Sequence, residues 1–118
     1  MRVPFHLGDD RSRTWVISRT PGGLRLKHDH RHEDGTEDSI TQYGGDTTGS
    51  GSAERQEFSA DAHTAALVPP AATNVWTLEI LPGEMFVYDL RREGSERRFR
   101  VEFDLSQPIP TPPPPWGS

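Results

Sequence analysis

The residues best suited to chemistry stand together in the run His28-Asp29-His30-Arg31-His32-Glu33-Asp34-Gly35-Thr36-Glu37-Asp38, which holds three of the chain's five histidines at alternate positions. On a strand, alternate side chains project to one side, so His28, His30 and His32 would face the same way. Neutral imidazoles arranged like this can share a divalent metal ion. Glu37, or one of Glu33, Asp34 and Asp38, would complete the shell or orient a ring. A second group is Arg91, Arg92, Arg97 and Arg98, flanking Gly94-Ser95. Four guanidiniums on the tip of a two-stranded ribbon repel one another, and a carboxylate or phosphate gripped in an arginine fork relieves that repulsion. Such a tip suits an acidic protein or a small anionic ligand. Near the C-terminus, Pro110-Thr111-Pro112-Pro113 satisfies P-x-x-P, the pattern read by polyproline-binding grooves.

Both charged groups depend on the strands beneath them. Trp76, Leu78 and Ile80, then Phe86, Tyr88 and Leu90, then Phe99, Val101, Phe103 and Leu105 recur at every second position. That period belongs to half-buried strands following one another in a meander. Matching apolar faces sets Leu90 opposite Phe99, Tyr88 opposite Val101 and Phe86 opposite Phe103. Gly94 and Ser95 then form a two-residue loop with Gly first, as a type II′ turn requires. The same register sets Arg91 opposite Arg98, Arg92 opposite Arg97 and Asp89 opposite Arg100. A two-residue turn at Pro82-Gly83 would throw the flanking apolar residues onto opposite faces, so an odd-length loop or a bulge is expected there.

Around Pro21-Gly22, Ile17 should face Leu26, Trp15 should face His28 and Arg13 should face His30. Ser39 to Tyr43 and Arg55 to Phe58 read as short strands, separated by a flexible Gly-rich loop over 44–52. Asp61 to Leu67 suits one or two helical turns capped by Ser59 or Asp61 and stopped by Pro69-Pro70. The expected organisation is an N-terminal arm over 1–12, one β-rich domain over 13–105 and a Pro-rich tail over 106–118. The expected fold is all-β, a small antiparallel two-layer sandwich or barrel built from hairpins.

With 118 residues, 31% of them hydrophobic, and 11 Gly and 11 Pro, the core must be small and the loops many. A net charge of −5 argues against a general nucleic-acid or anionic-membrane binder, because neutralising phosphates needs a basic face. The absence of cysteine excludes disulfide frameworks, thiolate zinc sites and cysteine nucleophiles. No stretch approaches the roughly 18 apolar residues of a membrane span, and a soluble, cytoplasmic chain is expected. No G-x-S-x-G elbow, Walker loop, dinucleotide fingerprint or H-E-x-x-H helix is present.

Gly22, five residues, His28-Asp29-His30, and later Glu37, six residues, Gly44, resembles the first motif of the cupin family. The resemblance implies a small barrel with a divalent metal on His28 and His30, and activities such as oxygenase, isomerase or sugar binding. The chain departs from the family in the longer interval between His30 and Glu37. The family's second motif, with its Pro-x-Gly, His and Asn, is not present. The residues support two expectations. One is a non-enzymatic accessory or interaction domain without a cofactor, presenting the arginine tip or an exposed aromatic face to a protein or small anionic ligand. The alternative is a cupin-like metal-binding protein or metalloenzyme built on His28 and His30, with His32 and Glu37 nearby.

Overall fold

Alternating apolar and polar residues become eight antiparallel strands in the computed structural model, which describes residues 1–49 and 51–118. One sheet is ordered β1 (Arg2–Leu7), β2 (Asp10–Thr20), β3 (Gly23–His30), β4 (Tyr43–Asp46). The other is ordered β5 (Arg55–Ser59), β6 (Asn74–Leu81), β7 (Met85–Arg92), β8 (Arg98–Asp104). Trp15, Ile17 and Leu26 from the first sheet and Phe58, Trp76, Leu78, Phe86 and Tyr88 from the second form a single buried cluster. Trp15 joins the layers, stacking on Phe5 of its own sheet at 4.9 Å and on Tyr88 of the opposite sheet at 4.1 Å. The chain is thus all-β, two antiparallel sheets face to face, with each strand following its predecessor in space. Among the described residues no helix is long and apolar enough to cross a membrane.

Register follows facedness in the two principal hairpins. Ile17 pairs with Leu26, Trp15 with His28 and Arg13 with His30 across β2 and β3. Leu90 pairs with Phe99, Tyr88 with Val101 and Phe86 with Phe103 across β7 and β8. Between β6 and β7 the loop is odd, three residues from Pro82 to Glu84, which keeps Leu78 opposite Tyr88 and Ile80 opposite Phe86 on the core side. The β7–β8 turn differs from the expected one. The Ser95 amide donates to the Arg92 carbonyl, so Glu93 and Gly94 are the central residues, and Gly94 takes a φ of 76°. Glycine is favoured there because the third position of a type II turn lies at positive φ.

Three segments depart from expectation. Arg2–Leu7, expected in an arm, is β1: Val3 and Phe5 pack against the core, and the Met1 amino group donates to the Ile17 carbonyl at 2.8 Å. The strand expected over Ser39 to Tyr43 lies instead over Tyr43–Asp46, so the first residues of the expected 44–52 loop belong to β4; Ser50 lies outside the described residues. The cause is close backbone approach. A Cβ on Gly44 would overlap the Leu26 carbonyl oxygen, and one on Gly45 would overlap the Ser59 carbonyl oxygen. Here glycine marks a strand squeezed between two others rather than a loop. A bridge between Thr47 and Phe58 continues this seam from one sheet to the other.

The connection from β5 to β6 carries the expected helix, α1 (Ala62–Leu67), followed by a 3₁₀ turn over Pro69–Ala71. Asp61 caps it, its Oδ1 accepting from the Thr64 amide at 2.9 Å, while Oδ2 accepts from Lys27 Nζ of β3 at 2.6 Å. The buried Thr64 Oγ1 accepts from the Gly44 amide at 2.8 Å. These bonds hold α1 and the turn after it against one end of the space between the sheets.

Candidate functional site

A cavity of about 520 Å³ lies between the sheets. Its deep part is formed by the buried rings of Trp15, His28, Trp76 and Tyr88, and its outer part by the more exposed Ile40, Phe99, Arg13 and Arg97. Alternation explains why cations collect at one end. Arg13 stands two residues before Trp15 on the inward face of β2, Arg92 two residues after Leu90 on β7, and Arg97 two residues before Phe99. Arg98 joins them at the edge. Val68 and Ala71, placed by α1 and the turn after it, add to the apolar wall. In a chain of net charge −5, the lining holds four arginines and, among the described residues, no carboxylate.

The four arginines of the hairpin tip do not act as one group. Arg91 and Arg98 share the outward face with Asp89. Arg91 Nη1 donates to Glu57 Oε2 at 2.8 Å, and Arg98 Nη2 donates to the buried Asp89 Oδ2 at 2.8 Å. Arg100 also reaches Asp89, at 3.5 Å. The expected repulsion between Arg91 and Arg98 is thus answered by acids within the fold. Arg92 and Arg97 take the inward face instead. Arg92 Nε donates to Asn74 Oδ1 at 3.0 Å, which aims the guanidinium, and the Arg97 side chain makes no hydrogen bond or ion pair among the described residues. Arg13 approaches Asp10 at 3.7 Å, its guanidinium carbon 5.6 Å from the Phe5 ring centre. Arg97 is therefore the cation at the mouth best placed to accept an outside partner.

The histidines separate. β3 ends at His30, after which the chain turns back through a bridge between Arg31 and Glu37. His32 is consequently off the strand, its side chain 56% exposed and its Nδ1 3.8 Å from Asp38 Oδ2. Glu37 Oε1 accepts from Arg31 Nη2 at 3.4 Å. His30 Nδ1 donates to the Ile40 carbonyl at 3.0 Å, steadying the loop whose Ile40 lines the cavity. Among the described residues no three His, Asp or Glu side chains are grouped to hold a metal ion. The spacing of His28, His30, His32 and Glu37 suggested a shared shell, but the strand stops too early to present His32 and each of the others has its own partner.

His28 belongs to the cavity. It is 1% exposed, and both ring nitrogens are engaged: Nδ1 lies 2.9 Å from the Tyr43 carbonyl and Nε2 lies 2.8 Å from the Tyr88 hydroxyl. A carbonyl oxygen only accepts, so Nδ1 carries the proton and Tyr88 donates its hydroxyl proton to Nε2. Burial pushes the His28 pKa down to about 4, against the Tyr43 carbonyl, which favours the charged ring; Arg13, His30 and Lys27 add to the depression. Burial likewise raises the Tyr88 pKa. The pair is neutral at pH 7. The His28 ring stacks on Tyr43 at 4.3 Å, completing an aromatic floor with Trp76 at 5.3 Å.

Register held part of this site in view, since Trp15 opposite His28 and Arg13 opposite His30 were both expected. The missing step was that the inward, cationic ends of β2, β7 and β8 meet over one space, with Tyr43, Trp76 and Tyr88 beneath them. A signal was present: Arg13 and Arg92 each sit one alternation beyond an inward apolar residue of β2 or β7, Trp15 and Leu90, and Arg97 sits one alternation before Phe99, just ahead of β8. Comparison of the chain with family models, with curated proteins and with solved structures finds no match in any of the three.

Proposed function

We propose that this chain is a binding protein for a small molecule with an apolar, ring-bearing body and an anionic group, the body lying between the sheets and the anion at the arginine mouth. One observation carries this: a cavity of about 520 Å³ lined by aromatic rings and four arginines, without a lining carboxylate among the described residues, in an acidic chain. The volume is within the range of small-molecule sites. Arginines at the mouth of a low-dielectric cleft concentrate the field there and attract an anion. Arg97, without an internal partner among the described residues, makes the first charge-assisted contact, and Arg92, aimed by Asn74, the second.

A binding role suits the floor better than acid–base catalysis. For Tyr88 to take a proton from a ligand, its own proton would pass to His28 Nε2. With the His28 pKa at about 4, charging that ring at pH 7 is opposed by about 4 kcal/mol. The pair therefore acts as a fixed hydrogen-bonding element.

Titration calorimetry with 2-naphthoate and its uncharged analogue 2-naphthamide tests the proposal. One naphthoate is expected to bind per chain, about tenfold or more tighter than the amide, as a charge-assisted hydrogen bond warrants. The preference should shrink in Arg92→Ala/Arg97→Ala and as salt is raised. Equal affinity for the two compounds, or no binding of either, would overturn it.

A further inference from the structure

Among the described residues, three of the four sheet edges are closed to a further strand. β4 and β5 meet at the seam made by the bridge between Thr47 and Phe58 and the bond from the Asp61 amide to the Gly44 carbonyl. On β1, Met1 and Ile17 exchange two backbone hydrogen bonds, so Arg2 and Pro4 turn outward, and proline has no N–H to offer a newcomer. β8 is open. The Leu105 amide donates to the Glu84 carbonyl and the Arg92 amide to the Arg97 carbonyl. Odd-numbered residues of β8 therefore bond β7, while Arg98, Arg100, Glu102 and Asp104 turn their amides and carbonyls outward. Such an edge is a template for another strand unless its side chains repel one.

The side chains of β8 select the partner. We infer that a second copy of this chain fills the edge, β8 lying antiparallel to β8 about a two-fold axis at Val101. The strand reads Arg98-Phe99-Arg100-Val101-Glu102-Phe103-Asp104, cations before the centre and anions after it. On that axis Arg98 faces Asp104 and Arg100 faces Glu102 as the hydrogen-bonded pairs, with Phe99, 48% exposed, facing Phe103 between them. Within one chain Arg100 Nε already donates to Glu102 Oε1 at 2.9 Å, so the two-fold closes a ring of four alternating charges. Other registers fail. Moving the axis by one residue sets Arg100 against Arg100 or Glu102 against Glu102, and moving it by two sets Arg98 against Arg100 or Glu102 against Asp104. The isologous pair joins two four-stranded sheets into one continuous sheet.

Sedimentation equilibrium of the intact chain is expected to show a dimer, twice the 13.2 kDa of one chain, forming in the micromolar range. Arg100→Glu sets carboxylate against carboxylate across the axis, and Glu102→Arg sets guanidinium against guanidinium. Each variant should be monomeric where the unaltered chain is dimeric, because like charges placed face to face oppose association. An equal mixture of the two variants should recover the dimer, since every carboxylate at the centre then faces a guanidinium. Only folded chains can pair, so recovery also excludes unfolding as the cause of the loss. An unaltered chain that stays monomeric throughout that range, a dimer that survives either exchange, or a mixture that remains monomeric would overturn the inference.

Discussion

Lowering the pH from 7 to 4 is expected to remove about 3 kcal/mol of folding stability through His28 alone. In the unfolded chain the imidazole titrates at its ordinary value of 6.5, whereas in the fold burial holds it at about 4. Between those values the unfolded chain binds a proton that the folded chain refuses. The contribution is thus fully present above pH 6.5, declines as pH falls through the window, and is exhausted below pH 4, where both forms carry the proton. Carboxylates act lower. Asp10, Asp46 and Asp61 are each held below the usual 3.8, Asp10 chiefly by Ser12 and Asp46 by its bond from Arg25, while at Asp61 burial is outweighed by Lys27 and Thr64. Their loss comes below pH 4 and is separable from that of His28. Denaturant unfolding measured across pH checks this: a slope between pH 6.5 and 4 that flattens in His28→Gln is the expected result, and a flat profile in the unaltered chain contradicts it.

Gly45→Ala is expected to destabilise by about 3 kcal/mol or more, at the upper end of what overpacking produces. The added methyl would fall on the Ser59 carbonyl oxygen and close to the Asp61 amide, both backbone atoms that no rotamer change can move. Relief requires β4 to draw away from β5, which strains the Asp61 amide bond to the Gly44 carbonyl at 2.9 Å. The seam that joins the two sheets would open, and α1 would lose its anchor beside the cavity. Gly22→Ala provides the comparison, since among the described residues nothing lies within 4 Å of the added carbon there. Thermal unfolding of the two variants separates a local steric cause from a general effect of replacing glycine. Equal, small shifts in both would contradict the squeezed-strand account.

Different parts of the molecule were unevenly legible in its residues. The pairing of Tyr88 with Val101 and of Trp15 with His28 was legible because facedness and turn length both constrain it, and a slip of one residue would expose every apolar side chain. β4 was illegible. Its Gly44-Gly45 composition signals a loop, and only the approach of Leu26 and Ser59 from other strands makes glycine necessary there. The His-x-His-x-His spacing was visible, but a spacing does not reveal where a strand stops, and β3 stops at His30. The arginine tip was visible too, and its division could have been read from alternation. Arg91 and Arg98 share a face with Asp89, whereas Arg92 and Arg97 share one with Leu90 and Phe99. What no single strand could show is that this second face closes over the aromatic floor supplied by β2, β3 and β6.

The central claim, that an aromatic anion enters the space between the sheets by way of its arginine mouth, is tested most directly by backbone amide chemical shifts recorded during a titration with 2-naphthoate. Leu90, Phe99, Ala71 and Ile40 line the cavity, while Thr77, Glu79 and Arg100 line a separate groove on the outward side of the second sheet. Saturable shifts concentrated at the first group and at Arg97, with the second group unmoved, are the predicted result. Shifts centred on Thr77, Glu79 and Arg100, or scattered over the whole surface, would contradict it.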